Sequence, residues 1–293
     1  MKATANWHPL VLMTYFIATL LLTMLTMHPV FLSLSLLGAL SFCATLTRPG
    51  IFIKSLLFYL FMFILIAVIN PIFSHNGETP LFFLNDQAVT LEAILYGVAI
   101  AGMLIAVLFW FKCYSEIMTS DKFIYLFGRI IPKLALILSM ALRFVPLFIA
   151  QIKKIHSVQK TMGLYTTKSL TDRFLGGVRV FYAILQWSLE NAVETADSMK
   201  ARGYGLKGRT SFSLFRFRPI DGALLAAILT LTGTVTAGML TGQVDFFFYP
   251  GMSVISLSAG TLFLYAVMAV LILIPLLFEG EEALKWKYLR AKM

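Results

Sequence analysis

The chain has 293 residues, of which 59% are hydrophobic and 13% charged, with a net charge of +10. No water-soluble domain of that length could cover so much apolar surface, so soluble enzymes and soluble binding modules are excluded and a bilayer is the solvent. The positive charge reads as an asymmetry between two membrane faces, which explains it without nucleic acid.

In chain order, the apolar residues form runs of about 17 to 25, long enough to cross ~30 Å of hydrocarbon as helices. Residues 10–27, 29–46, 51–69, 88–111, 220–241 and 260–278 read as spans. The first starts near Leu10 with no small-residue cleavage site before it, so no removable signal peptide is expected. The expected fold is therefore an all-α polytopic membrane protein. Four transmembrane helices lie in 1–111, a module in 112–219, two further spans in 220–278 and a tail in 279–293.

Charge sets the expected orientation. With both termini cytoplasmic, all 24 Lys and Arg fall inside, and the outer loops carry acids such as Glu78, Asp86 and Asp245. Residues 134–150 are also apolar, but if they alone crossed, twelve Lys and Arg between Lys153 and Arg218 would face outward. Arg143 at mid-membrane would cost ~2.5 to 3.5 kcal/mol on insertion scales. A cytoplasmic or membrane-grazing helix is preferred. The alternative is a hairpin in which 134–150 and 174–189 both cross.

The module alternates helical apolar periodicity with clustered charge. A short helix from Asp121 to Pro132 comes first, with Asp121 as a possible cap. A long amphipathic helix follows, with Leu134, Leu138, Ala141, Val145, Phe148, Ile152, Ile155 and Met162 on an inward stripe. Pro146, one turn after Arg143, should kink it, and Gly163 can end it. A second, Val180 to Arg202, would turn Phe181, Ile184, Leu185, Leu189, Ala192, Ala196 and Met199 inward, with Glu190, Glu194 and Asp197 opposite. It closes on Lys200-Ala201-Arg202-Gly203-Tyr204-Gly205. That end reads either as a capped basic terminus near anionic headgroups or as a docking tip whose guanidinium makes two parallel bonds to a carboxylate.

Three segments carry a resemblance: Ala141-Leu142-Arg143-Phe144-Val145-Pro146, Val158-Gln159-Lys160-Thr161-Met162-Gly163, and Asp197 to Gly205. With Asn70 to Gly77 and the order of spans, they resemble the transmembrane T component (EcfT/CbiQ-like family) of energy-coupling-factor transporters, importers of vitamins and metal ions driven by ATP-binding cassettes. The resemblance implies two coupling helices, each ending in an Ala-Arg-Gly-like motif that docks on one of two ATPase subunits. It implies a small membrane S subunit that captures substrate, and no catalysis or cofactor in this chain, ATP being bound by the partners. Ala201, Arg202 and Gly203 match the second motif. At the first, Lys160, Met162 and Gly163 occupy the place but the arginine is missing, so unequal docking is expected. Arg143 and Pro146 shape the other coupling helix. The rival reading is a stand-alone ion-coupled carrier or channel, which should show intramembrane charges and internal repeats.

Other chemistry is absent. His8, His28, His75 and His156 have no paired spacing, and Cys43 and Cys113 have no partner at metal-ligand spacing. Gly203 to Thr210 nearly fits a phosphate-loop pattern, but it leaves a helix instead of a strand. Glu92 and Lys54 are expected to snorkel to the interfaces, and Phe246 to Tyr249 to form an interfacial aromatic belt.

Overall fold

The computed structural model describes residues 3–292 apart from 75–76, 85–86, 129, 164–169 and 207–214. His75, Asp86 and the end of the phosphate-loop-like stretch lie outside the described residues. The helices are α1 (Pro9–Leu25), α2 (Pro29–Leu46), α3 (Pro49–Phe73), α4 (Leu91–Ile117), α5 (Ser120–Gly128), α6 (Pro132–Thr161), α7 (Leu170–Ala201), α8 (Pro219–Leu240) and α9 (Ala259–Lys292). Residues 1–123 with 215–293 form one compact unit and residues 124–214 another.

The fold is all-α and polytopic. Helices α2, α3, α4, α6, α8 and α9 are long and apolar enough to cross a membrane, while α1, at 17 residues, is apolar but shorter. Apolarity alone thus does not separate α6 from the other spans, and the case for keeping it out of the bilayer rests on charge. Five helices, α1, α2, α3, α6 and α8, open on a proline, whose missing N–H costs nothing in a first turn.

Two histidines with no evident role in the sequence turn out to be helix caps. His8 and His28 precede Pro9 and Pro29, and the Nδ1 of each accepts the N–H two residues on, from Leu10 at 3.2 Å and Val30 at 3.3 Å. The Nδ1 of His28 must therefore be unprotonated, so its Nε2–H donates to Tyr265 Oη at 3.1 Å. Phe31, Phe246 and Tyr265 surround the ring, which is 3% exposed, and this burial lowers its pKa from 6.5. The folded state favours neutral His28, so its contribution is complete above pH ~6.5 and is lost as pH falls through the lower folded value. Thermal melting in detergent should show wild type losing stability below pH ~6.5, with a shallower loss in His28→Phe.

In the first unit α4 is central, packing against α1, α2 and α3, while α9 packs on α2 and α8. Trp110 of α4 is fully buried, with Tyr15, Phe16 and Phe42 ringed around it at centroid distances of 6.0 to 6.2 Å. Its indole N–H donates to Ser35 Oγ at 3.0 Å, and Ser35 pairs with Thr23 Oγ1 at 2.6 Å, so these three polar groups are satisfied within the core. The N-terminal stub is pinned below this core. The Thr4 hydroxyl donates to Glu279 Oε1 at 2.6 Å, and the carboxylate of Asp221 accepts N–H bonds from His8 and Arg218.

Helix α3 is attached differently. Pro71 is its only fully buried residue, yet the helix packs along α4, with Tyr59 against Phe109, the Lys112 ammonium donating to Ser55 Oγ and a close approach at Gly97.

Three expectations at the loop end of this unit are corrected. Residues 88–90 are not helical: β1 (Pro80–Leu84) and β2 (Gln87–Thr90) pair as an antiparallel hairpin before α4 begins. Glu92 does not snorkel. It is 4% exposed and accepts hydrogen bonds from the Thr79 hydroxyl at 2.8 Å and the Thr79 N–H at 3.4 Å, a neighbourhood that requires glycine at Gly77, where φ is +136°. The aromatic run does not form a belt as a whole: Phe246 packs on His28 and Phe248 on Tyr96, leaving Phe247 exposed.

Candidate functional site

The unit of residues 124–214 holds α6 and α7, which meet where Phe148 packs edge-on against Trp187 at 5.7 Å. Their facing stripes are rotated from the expected ones. On α6, Phe144, Phe148, Gln151, Ile155 and Gln159 are half-buried, while Leu134, Val145, Ile152 and Met162 are exposed. On α7, Ile184, Trp187, Asn191, Thr195 and Met199 turn inward, while Phe181, Leu185 and Leu189 are exposed. The error has a physical cause. Amphipathic reading assumes that apolar means inward, but these helices are apolar on a second face as well. Helix α7 also starts ten residues before the expected Val180, and Asp121 lies inside the first turn of α5, not at its cap.

The two helix ends share a left-handed glycine whose N–H bonds the carbonyl three residues back. At the end of α7, Gly203 has φ +81°, its N–H donates to Lys200 O at 2.9 Å, and the Tyr204 N–H donates to Met199 O at 3.0 Å. These are the two bonds of a Schellman cap, which needs a left-handed residue at the glycine position. At the end of α6, Gly163 has φ +74° and its N–H donates to Lys160 O at 3.2 Å. The two ends therefore align residue by residue, Lys160-Thr161-Met162-Gly163 on Lys200-Ala201-Arg202-Gly203.

Met162 and Arg202 hold the same cap position, and both side chains project into the open, with Met162 71% exposed. Each tip lies about 21 to 23 Å along its own helix axis from the Phe148–Trp187 contact. Arg202 makes no ion pair among the described residues. Lys200 adds a cation beside the negative helix end, and Glu190, Glu194 and Asp197 are exposed higher on α7. Arg143 and Pro146 are both exposed, and α6 continues through Pro146 without a break. The tips thus combine a fixed backbone with an unengaged side chain, an arrangement for contact. Among the described residues no group of three His, Cys, Asp or Glu is placed to hold a metal ion.

Residues 5–212 match the family described as CbiQ, cobalt transport protein. The chain belongs to this family. Similar curated proteins are all energy-coupling factor transporter transmembrane proteins EcfT. The one from Listeria innocua is 30% identical over 186 residues, 59% of this chain and 70% of that protein. EcfT 1 of Listeria monocytogenes is 34% identical over 109 residues, 36% of this chain and 40% of that relative's length. EcfT of Brevibacillus brevis is 26% identical over 211 residues, 67% of this chain and 80% of that protein. This family membership makes the chain a multi-pass T component of energy-coupling-factor transporters.

Proposed function

We propose that this chain is the force-transmitting subunit of an ATP-driven importer of vitamins or metal ions, joining two ATP-binding-cassette ATPases to a small S subunit that captures substrate. The observation that carries this reading is the pair of matched helix ends in one unit, each an exposed cap residue on a glycine-closed terminus. In this reading residues 124–214 and both termini face the cytoplasm. Arg202, flanked by the small Ala201 and Gly203, enters an acidic groove of one ATPase, while Met162, with Lys160 beside it, packs in the groove of the other. ATP and its hydrolysis belong to the ATPases, and no residue of this chain reacts.

Helix α6 has 30 residues and α7 has 32, so they are levers about 45 and 48 Å long. Closure of the ATPases moves both tips, and stiff helices carry that movement past the Phe148–Trp187 contact. Exposed Phe174, Phe181, Tyr182 and Leu189 make a face of α7 too apolar for water, which suits contact with the S subunit and lipid.

Mild-detergent purification followed by mass spectrometry tests the assignment. Wild type should retain two ATPases and a small membrane protein, and Arg202→Glu should lose at least one ATPase. A chain that purifies alone, stable and monodisperse, in both cases would favour a stand-alone carrier. Met162→Arg should keep uptake within about twofold of wild type, because the cap geometry already places an arginine at the matching position of α7.

A further inference from the structure

In the unit formed by 1–123 and 215–293, a cavity of about 710 Å³ opens between α2, α4, Phe63 of α3 and the 246–255 connection. Leu32, Leu36, Leu95, Gly102 and Phe248 line it. Its only side-chain hydroxyls are those of Ser33 and Ser253, and both are engaged. Ser33 donates to Val30 O at 2.9 Å, and Ser253 donates to Phe247 O at 2.9 Å and accepts the Phe247 N–H at 2.7 Å. An occupant meets no charged side chain and an almost wholly apolar lining, which disfavours ions, nucleotides and polar nutrients.

Depth narrows the choice. Along α2 the lining runs from Pro29 to Leu36 and along α4 from Leu95 to Gly102, about 10 Å on each helix, beginning within about one turn of each helix's start. Half of a ~30 Å hydrocarbon core is about 15 Å, so the cavity extends over about two thirds of one leaflet. The larger part of one acyl chain fits in that depth.

We infer that this cavity holds an acyl chain of a bilayer phospholipid, wedged between α3 and the α2–α4 core. It adds apolar contact at Phe63, on a helix that buries only Pro71 completely in protein. Gly102 lines the cavity, and a Cβ there meets nothing within 4 Å, so the first atom of a side chain has room beside it.

The test uses membranes from cells making the chain with its partner subunits, loaded with a phosphatidylglycerol carrying a mid-chain diazirine. After illumination, mass spectrometry should find label on the α2 and α4 peptides around Leu36 and Gly102. Gly102→Phe should cut that label at least fivefold and the milder Ala99→Leu at least twofold, with labelling around Phe58 and Phe61 on the open face of α3 unchanged. Equal labelling in wild type and both variants would mean surrounding lipid only and overturn the inference. Label present on the isolated chain and absent from the assembled complex would also overturn it, giving the cavity to a partner helix.

Discussion

Substrate uptake by cells carrying Arg202→Glu is expected to fall to background while the protein remains in the membrane at wild-type level. The fold does not use this side chain. The α7 cap is made by backbone bonds from Gly203 and Tyr204, and the exposed guanidinium has no ion-pair partner among the described residues. The complex does use it in the proposed reading, as one half of a charged pair at an interface. Truncating one partner of such a pair costs about 2 to 5 kcal/mol, which is ~30-fold to several thousand-fold in affinity. Reversal to Glu adds repulsion. Arg202→Lys should be intermediate, because a lysine keeps the charge and loses the fork that matches a carboxylate. Uptake of labelled substrate, normalised to chain abundance by immunoblot, reads the series. Its order should be wild type, Lys, Ala, Glu.

A large effect on stability is also expected at Gly97. A Cβ built there would stand 2.8 Å from the carbonyl oxygen of Ala67 and 3.1 Å from Asn70 Cβ. A backbone oxygen cannot swing aside as a side chain would. Gly97→Val should therefore push α3 away from α4, at a cost of about 3 kcal/mol, the upper end for overpacking. Because α3 packs mainly on α4 and little on any other element, the loss should be local: new protease cuts near residues 70–80 before the rest unfolds. Limited proteolysis in detergent against temperature measures it. At Gly102, where a Cβ has open space, valine should have little effect, and the contrast separates packing from helix propensity.

Much of this architecture was legible because the bilayer leaves few options. Runs near 20 apolar residues can only be helices in lipid, and prolines such as Pro9, Pro29, Pro49 and Pro219 mark where they begin. Gly163 and Gly203 marked the tips for an equally local reason, since left-handed backbone is cheap only for glycine.

What could not be read depended on where apolar faces turn. Phe181, Leu185 and Leu189 were assigned inward by periodicity, yet they are exposed, because lipid and partner surfaces attract the same residues as a core does. Glu92 looked like an interfacial acid until Thr79, thirteen residues earlier, was seen to bond it. The strand hairpin left a faint signal, two short runs before α4 that merge with an apolar span. His28 could have been found: a histidine before a proline that opens an apolar run is placed to cap the helix.

Site-specific photo-crosslinking most directly tests whether the helix ends are docking tips. A benzophenone amino acid replaces Arg202 in one variant and Met162 in another, in cells expressing the natural partners, with position 190 on the exposed side of α7 as the comparison. Illumination should join position 202 to one ATP-binding-cassette subunit and position 162 to an ATPase as well, with little product from 190. Adducts to lipid alone at both tips, or ATPase adducts no stronger there than at 190, would contradict the account.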